Sequence, residues 1–112
     1  MPNEQILSPQ VFHILVSLAE RDQHGYAIMQ DVAARTGGKL RLSPGTLYGS
    51  IKRMLEEGLI VELHARALER RRRYHLTAQG RQAVKAEISR MTEMLEQAQA
   101  TARTHGLLPK RA

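Results

Sequence analysis

Apolar positions recur along this chain at helical spacing in four stretches and at strand spacing in two. Val11, Phe12, Ile14, Leu15, Leu18 and Ala19 form the first stripe, and Ser8-Pro9 ahead of it supplies a capping hydroxyl and a proline suited to the first helical position. These residues predict a helix of about three turns. After the polar turn Asp22-Gln23-His24-Gly25, the positions Tyr26, Met29, Val32 and Ala33 predict the apolar face of a second helix. Gln30 and Asp31 fall on its wet side, and Gly37-Gly38 end it. Lys39-Leu40-Arg41-Leu42 alternates over too short a span for more than a minor strand. Ser43-Pro44 then repeats the cap, and Leu47, Ile51, Met54 and Leu55 predict a third helix that stops near Glu57, where Gly58 can turn left-handed.

Leu59 to Leu63 and Arg73 to Thr77 have the β-branched and aromatic character of strands. A charged loop, Ala65 to Arg72, joins them, so a helix-turn-helix followed by a small β-hairpin describes a winged helix. Thr77 can cap a last helix from about Ala78 to Arg103, although Gly80 in its first turn is weak helix chemistry. Val84, Ile88, Met91, Leu95, Ala98 and Ala102 follow in alternating steps of four and three, a coiled-coil seam with Ala83 and Met94 beside it. A second copy of the chain is the simplest cover for that seam, which makes Val84, Ile88, Met91, Leu95 and Ala98 the candidate dimer interface. The fold class is therefore mainly α with a small β-hairpin: a winged helix-turn-helix over residues 1–77, a long C-terminal dimerisation helix over 78–104 and a flexible tail over 105–112.

Composition sharpens this picture through charge. A chain of 112 residues holds one small domain with a modest core, and its net charge of +6 suits a phosphate polyanion as partner. The cations are clustered. Opposite its apolar stripe the third helix carries Thr46, Tyr48, Gly49, Ser50, Lys52 and Arg53, and the hairpin loop carries Arg66, Arg70, Arg71 and Arg72, with Arg73 opening the next strand. A major groove admits one such helix, its N-terminal residues Ser43 and Thr46 near base edges, Tyr48 at a phosphate or a thymine methyl, and Lys52 and Arg53 on the flanking backbone. Gly49 would permit close approach. Arg70 to Arg73 would lie along the minor groove, about half of them reaching one DNA strand because strand residues alternate. Plainer roles stand beside these: Ser43 as a cap only, Tyr48 packed on the first helix, the arginines as a solvated loop.

Other chemistry finds little support. The chain has no cysteine, its histidines lack paired ligand spacing, and no Gly-rich phosphate loop or Ser/His/Asp set is evident, so neither enzyme, metal site nor cofactor is expected. The polar start MPNEQILSPQ and the absence of an apolar run of about 18 residues predict a soluble, cytoplasmic protein with no membrane partner.

HGYAI at His24 to Ile28, LSPGTLYGSIKRMLEEGLI at Leu42 to Ile60 and RRYHLTAQG at Arg72 to Gly80 resemble the signatures of the PadR family of bacterial transcriptional regulators, in its smaller subfamily with one helix after the wing. Three departures stand out: Gly49 where members usually have proline, Leu68-Glu69-Arg70 where they have Gly-x-Pro, and Arg73 in place of one of two wing aromatics. The resemblance implies a homodimer that usually represses transcription from a palindromic operator in double-stranded DNA, with the C-terminal helix forming much of the interface. It also implies a small apolar effector near that interface. Met91 and Met94 are candidate lining there, although the last helix has no aromatic residue and methionines at this spacing serve equally as core. Two other readings remain open: an interaction adaptor whose basic wing meets an acidic protein, and an RNA-binding winged helix, for which Tyr26, Tyr48 and Tyr74 are the available stacking rings.

Overall fold

A computed structural model describes residues 6–63 and 71–109. In chain order its elements are α1 (Pro9–Glu20), β1 (Gln23–His24), α2 (Gly25–Arg35), α3 (Pro44–Glu56), β2 (Ile60–Leu63), β3 (Arg73–Leu76) and α4 (Ala78–His105). Three helices begin on the hydroxyls expected of them. Ser8 Oγ accepts from the Val11 N–H at 3.2 Å, Ser43 Oγ from the Thr46 N–H at 3.2 Å and Thr77 Oγ1 from the Gly80 N–H at 3.0 Å, each satisfying a first-turn donor.

The strands form one antiparallel sheet in the order β1-β3-β2, with Glu62 opposite Tyr74 and Gln23 opposite Tyr74 on the other side. The hairpin thus gains a third strand from Gln23-His24, which pattern alone reads as a polar turn. Gln23 is inward: its side-chain Nε2 donates to the Ser17 carbonyl at 2.8 Å and to Ser17 Oγ at 2.9 Å, which fixes the backbone in reach of β3. Lys39 to Leu42 forms no strand. Thr36 Oγ1 instead accepts from the Leu40 N–H at 3.0 Å, and Leu40 and Leu42 turn into the core.

Ile14 and Leu15 of α1, Ile28 and Val32 of α2, and Leu47 of α3 are fully enclosed, with Leu76 of β3 closing the sheet side. The face of α2 differs from the expected one. Ile28 faces the core whereas Tyr26 is 60% exposed, and Asp31 is not on a wet side: it accepts from Ser17 Oγ at 2.6 Å and from Arg35 Nε at 2.7 Å. Ala19 is likewise exposed rather than part of the α1 stripe.

The first turn of α4 lies so close to the sheet that a Cβ on Gly80 would collide with the Leu59 carbonyl oxygen and meet Leu76 Cδ1 at 2.5 Å. A glycine is required there, which accounts for poor helix chemistry at that position. Farther along, Glu87 is buried and pairs with Arg90, while Ala83 and Val84 pack on the core. Gly106, left-handed at φ 68°, ends the helix as its C-cap. The arrangement is a winged helix-turn-helix followed by one long helix.

Candidate nucleic-acid interface

The apolar stripe Leu47, Ile51 and Met54 buries one side of α3 and so fixes what the other side presents. Thr46, Gly49, Lys52 and Arg53 are all exposed, and Gly45 and Glu56 share their surface. A Cβ at Gly45 or Gly49 would meet nothing within 4 Å, so bare backbone faces outward between the longer side chains. Ser50, also on the sequence-predicted face, is half-buried. Ser43 caps the helix, and its Oγ donates to Thr46 Oγ1 at 3.0 Å, so the two hydroxyls act as one unit at the N-terminus.

Tyr48 stands apart from this face. A Cβ on Gly25 would lie 2.6 Å from the Tyr48 hydroxyl oxygen and 3.0 Å from its Cε1, so the ring rests on the first residue of α2. It remains 49% exposed. Gly25 is therefore required by packing, a role its place in a polar turn does not reveal. Arg53 lies on the opposite flank, lining a cavity of about 330 Å³ with Leu7, Met54 and Glu57.

The wing divides by strand alternation. Tyr74 and Leu76 point into the core, which sends Arg73 and His75 to the other face of β3. There His75 Nδ1 donates to Asp22 Oδ1 at 2.7 Å, and Arg73 Nη2 lies 3.9 Å from Asp22 Oδ2. Arg72 faces the other way, with Nη1 3.5 Å from Glu62 Oε1, and is 73% exposed; Arg71 is exposed beside it. Among the described residues the wing cations thus divide: Arg71 and Arg72 line one cleft with Tyr48 of α3, and Arg73 is drawn toward Asp22. Arg70, with the rest of residues 64–70, lies outside the described residues.

Arg71, Arg72, Tyr48 and the start of α2 enclose a cleft of about 560 Å³. Tyr74, 3% exposed, lines it, and burial, with the Glu62 charge adding to it, pushes the pKa of its phenol up. His24, Gly25 and Tyr26 complete the wall; spacing reads the first two as turn residues and assigns Tyr26 to an apolar helix face.

Of the seam on α4, Val84 and Met91 are partly covered by the chain itself, Ala102 is buried, Ile88 and Leu95 are 48% and 57% exposed, and Ala98 is exposed. Met94 is 50% exposed. Among the described residues no group of three or more His, Cys, Asp or Glu side chains could hold a metal ion, and no helix is long and apolar enough to cross a membrane.

A family model described as the transcriptional regulator PadR-like family matches residues 14–86. An uncharacterized 37.1 kDa protein in transposon TN4556 of Streptomyces fradiae is 33% identical over 81 residues, which are 72% of this chain and 22% of that protein. The chain thus spans 22% of the length of this curated relative. Among solved structures, a PadR family transcription regulator from hypervirulent Clostridium difficile R20291 superposes with a TM-score of 0.72 at 22% identity, over 84% of this chain and 98% of that one. Bacillus subtilis PadR in complex with operator DNA gives 0.60 at 22% identity, over 69% of this chain and 45% of that one. At such identities these two likenesses are of fold.

Proposed function

The chain belongs to the PadR-like family of transcriptional regulators, and from that premise we propose that it binds duplex DNA as a homodimer and represses transcription at a two-fold operator. One observation carries the reading: α3 turns outward a face with Lys52 and Arg53 beside bare backbone at Gly49, and its Tyr48 lines one cleft with the exposed Arg71 and Arg72 of the wing. An α-helix of this kind fits a major groove, and arginines beside it fit the adjoining minor groove. Ser43 and Thr46 reach base edges from the helix N-terminus, and Lys52 and Arg53 meet phosphates. Arg73 contributes through the overall field more than by contact, given its place beside Asp22.

The exposed Ile88, Leu95 and Ala98 of α4 pair with a second copy, so residues 1–77 work as the DNA-binding unit and 78–104 as the dimerisation helix. A small apolar effector bound near Met91 and Met94 would release the operator. Such a protein acts in the cytoplasm, where its DNA is. The bare α3 face and paired wing arginines favour duplex DNA over an acidic protein surface.

Fluorescence anisotropy against the duplex upstream of the chain's own gene, beside a scrambled duplex and over a salt series, tests this reading. A preference of about a thousandfold for the upstream duplex is expected. Equal weak binding to both would replace it with the adaptor reading. Arg71→Ala with Arg72→Ala should weaken binding to every sequence alike and lower the salt slope by about two, one unit for each phosphate no longer neutralised. An unchanged slope would remove the wing from the interface.

A further inference from the structure

Resting on the homodimer reading above, we infer that the cavity between the N-terminus of α1 and the last turns of α3 is a docking site for Leu107 and Leu108 of the second copy, and that the two α4 helices run antiparallel. Leu7, Val11, Met54 and Leu59 give this cavity of about 330 Å³ an apolar wall, and Arg53 and Glu57 stand with them. Leu107 and Leu108 follow the Gly106 cap directly and are 68% and 47% exposed. Two adjacent exposed leucines need a cover.

The seam on α4 supplies the register. Parallel pairing would set Ile88 on Ile88 and Ala98 on Ala98, two levels that call for different helix separations. Antiparallel pairing sets large against small: the exposed Ile88 faces Ala98 of the second copy, and the exposed Leu95 faces its Met91. The two-fold axis then passes beside Glu93. Sliding the pair by one heptad sets Ile88 against His105 in one direction and Ala98 against Arg81 in the other, which leaves an apolar side chain on a polar one.

The same register brings Leu107 and Leu108 of the second copy to the level of Ala78 and Gln79. That level borders the cavity. Gln79 Nε2 donates to the Glu57 carbonyl at 3.0 Å, and farther along α4 the Glu87 carboxylate accepts from the Leu7 backbone N–H. Glu57 and Leu7 both line the cavity, so α4 meets it at two points. Seam and cavity are separate observations, and they agree on where the leucines of the second copy fall. Because Arg53, Met54 and Glu57 belong to the end of α3, the docked leucines brace the helix whose outer face is read as meeting DNA.

The chain has no cysteine, so introduced ones report alone. Oxidation should join Ile88→Cys/Ala98→Cys chains into covalent dimers and leave Ala98→Cys by itself unjoined, since in this register its two copies do not face each other. Gln79→Cys/Leu107→Cys should also join between chains; within one chain these positions lie at opposite ends of α4, roughly 40 Å apart at the helical rise. Leu107→Ser/Leu108→Ser should weaken dimerisation by at least about tenfold in sedimentation equilibrium, with far-UV circular dichroism unchanged. Self-joining of Ala98→Cys, or an Ile88→Cys/Ala98→Cys chain that stays unjoined, would overturn the antiparallel register. An unjoined Gln79→Cys/Leu107→Cys chain, or wild-type dimer affinity in the serine variant, would overturn the docking and leave a dimer whose cavity takes another occupant. A wild-type chain that sediments as a monomer ends the homodimer reading and this inference together.

Discussion

The helices of the winged body and the long helix that follows it carry apolar stripes of the same kind, and they use them in opposite ways. Ile14, Val32 and Leu47 are 0% exposed inside a single chain, whereas Ile88 and Leu95 of α4 remain 48% and 57% exposed. The cause is geometric. Three helices and a sheet surround one centre, so every stripe in the body finds another; α4 touches that centre through its first turns and then runs past it. An apolar position is evidence of a neighbour; the stripes of the body find theirs within the chain, and Ile88 and Leu95 of α4 do not.

The largest effect should come at the junction between the two regions. Gly80→Val would force a branched side chain into the Leu59 carbonyl and Leu76, and overpacking of that severity costs about 3 kcal/mol. Chemical denaturation should show the loss in the body as well as in α4, because β2, β3 and the first turn of α4 meet at that point. A loss below about 1 kcal/mol would mean that α4 is not anchored there and that the two regions are separate in stability.

Leu95→Glu acts on the second region alone. It puts a charge into the exposed seam, so light scattering should show a dimer for the wild type and a monomer for the variant, with far-UV circular dichroism little changed. A variant that stays dimeric would assign the dimer contact elsewhere, and a wild type that is already monomeric would leave the exposed seam without its proposed cover.

The contrast also explains what the sequence makes legible. Hydroxyl caps at Ser8, Ser43 and Thr77, the α3 stripe and the strands flanking the wing are local signals, and each appears where spacing predicts it. Tyr26, Asp31 and Gly25 are misread because their surroundings come from residues distant in sequence: Asp31 is set by Ser17, and Gly25 by Tyr48. Asp31 looks solvated only until α1 supplies its donor. Gln23-His24 reads as a turn until β3 arrives beside it. The wing arginines show the same limit, since charge counting groups Arg72 with Arg73 while strand alternation sends them to opposite faces.

The smallest effect concerns two carboxylates, one in each region. Burial alone would raise the Asp31 pKa, but hydrogen bonds from Ser17 and Arg35 outweigh it and hold the group below its ordinary 3.8. On α4, the Arg90 hydrogen bond holds Glu87 below its ordinary 4.5 against the cost of burial, and the Leu7 backbone N–H adds to it. A carboxylate whose folded pKa lies below its unfolded value contributes stability that is fully present above the unfolded value and is lost as pH falls through the folded one. The wild type should therefore be more stable than Asp31→Asn and Glu87→Gln at neutral pH, and each gap should close on acidification below about pH 4. Urea unfolding from about pH 7 to about pH 3 measures both gaps. Asp31→Asn should weaken the body at any protein concentration, because its partners lie in α1 and α2. Glu87→Gln should loosen α4 from the segment before α1. A gap that stays constant with pH would trace the loss to packing and remove charge as the reason these two side chains tie each region together.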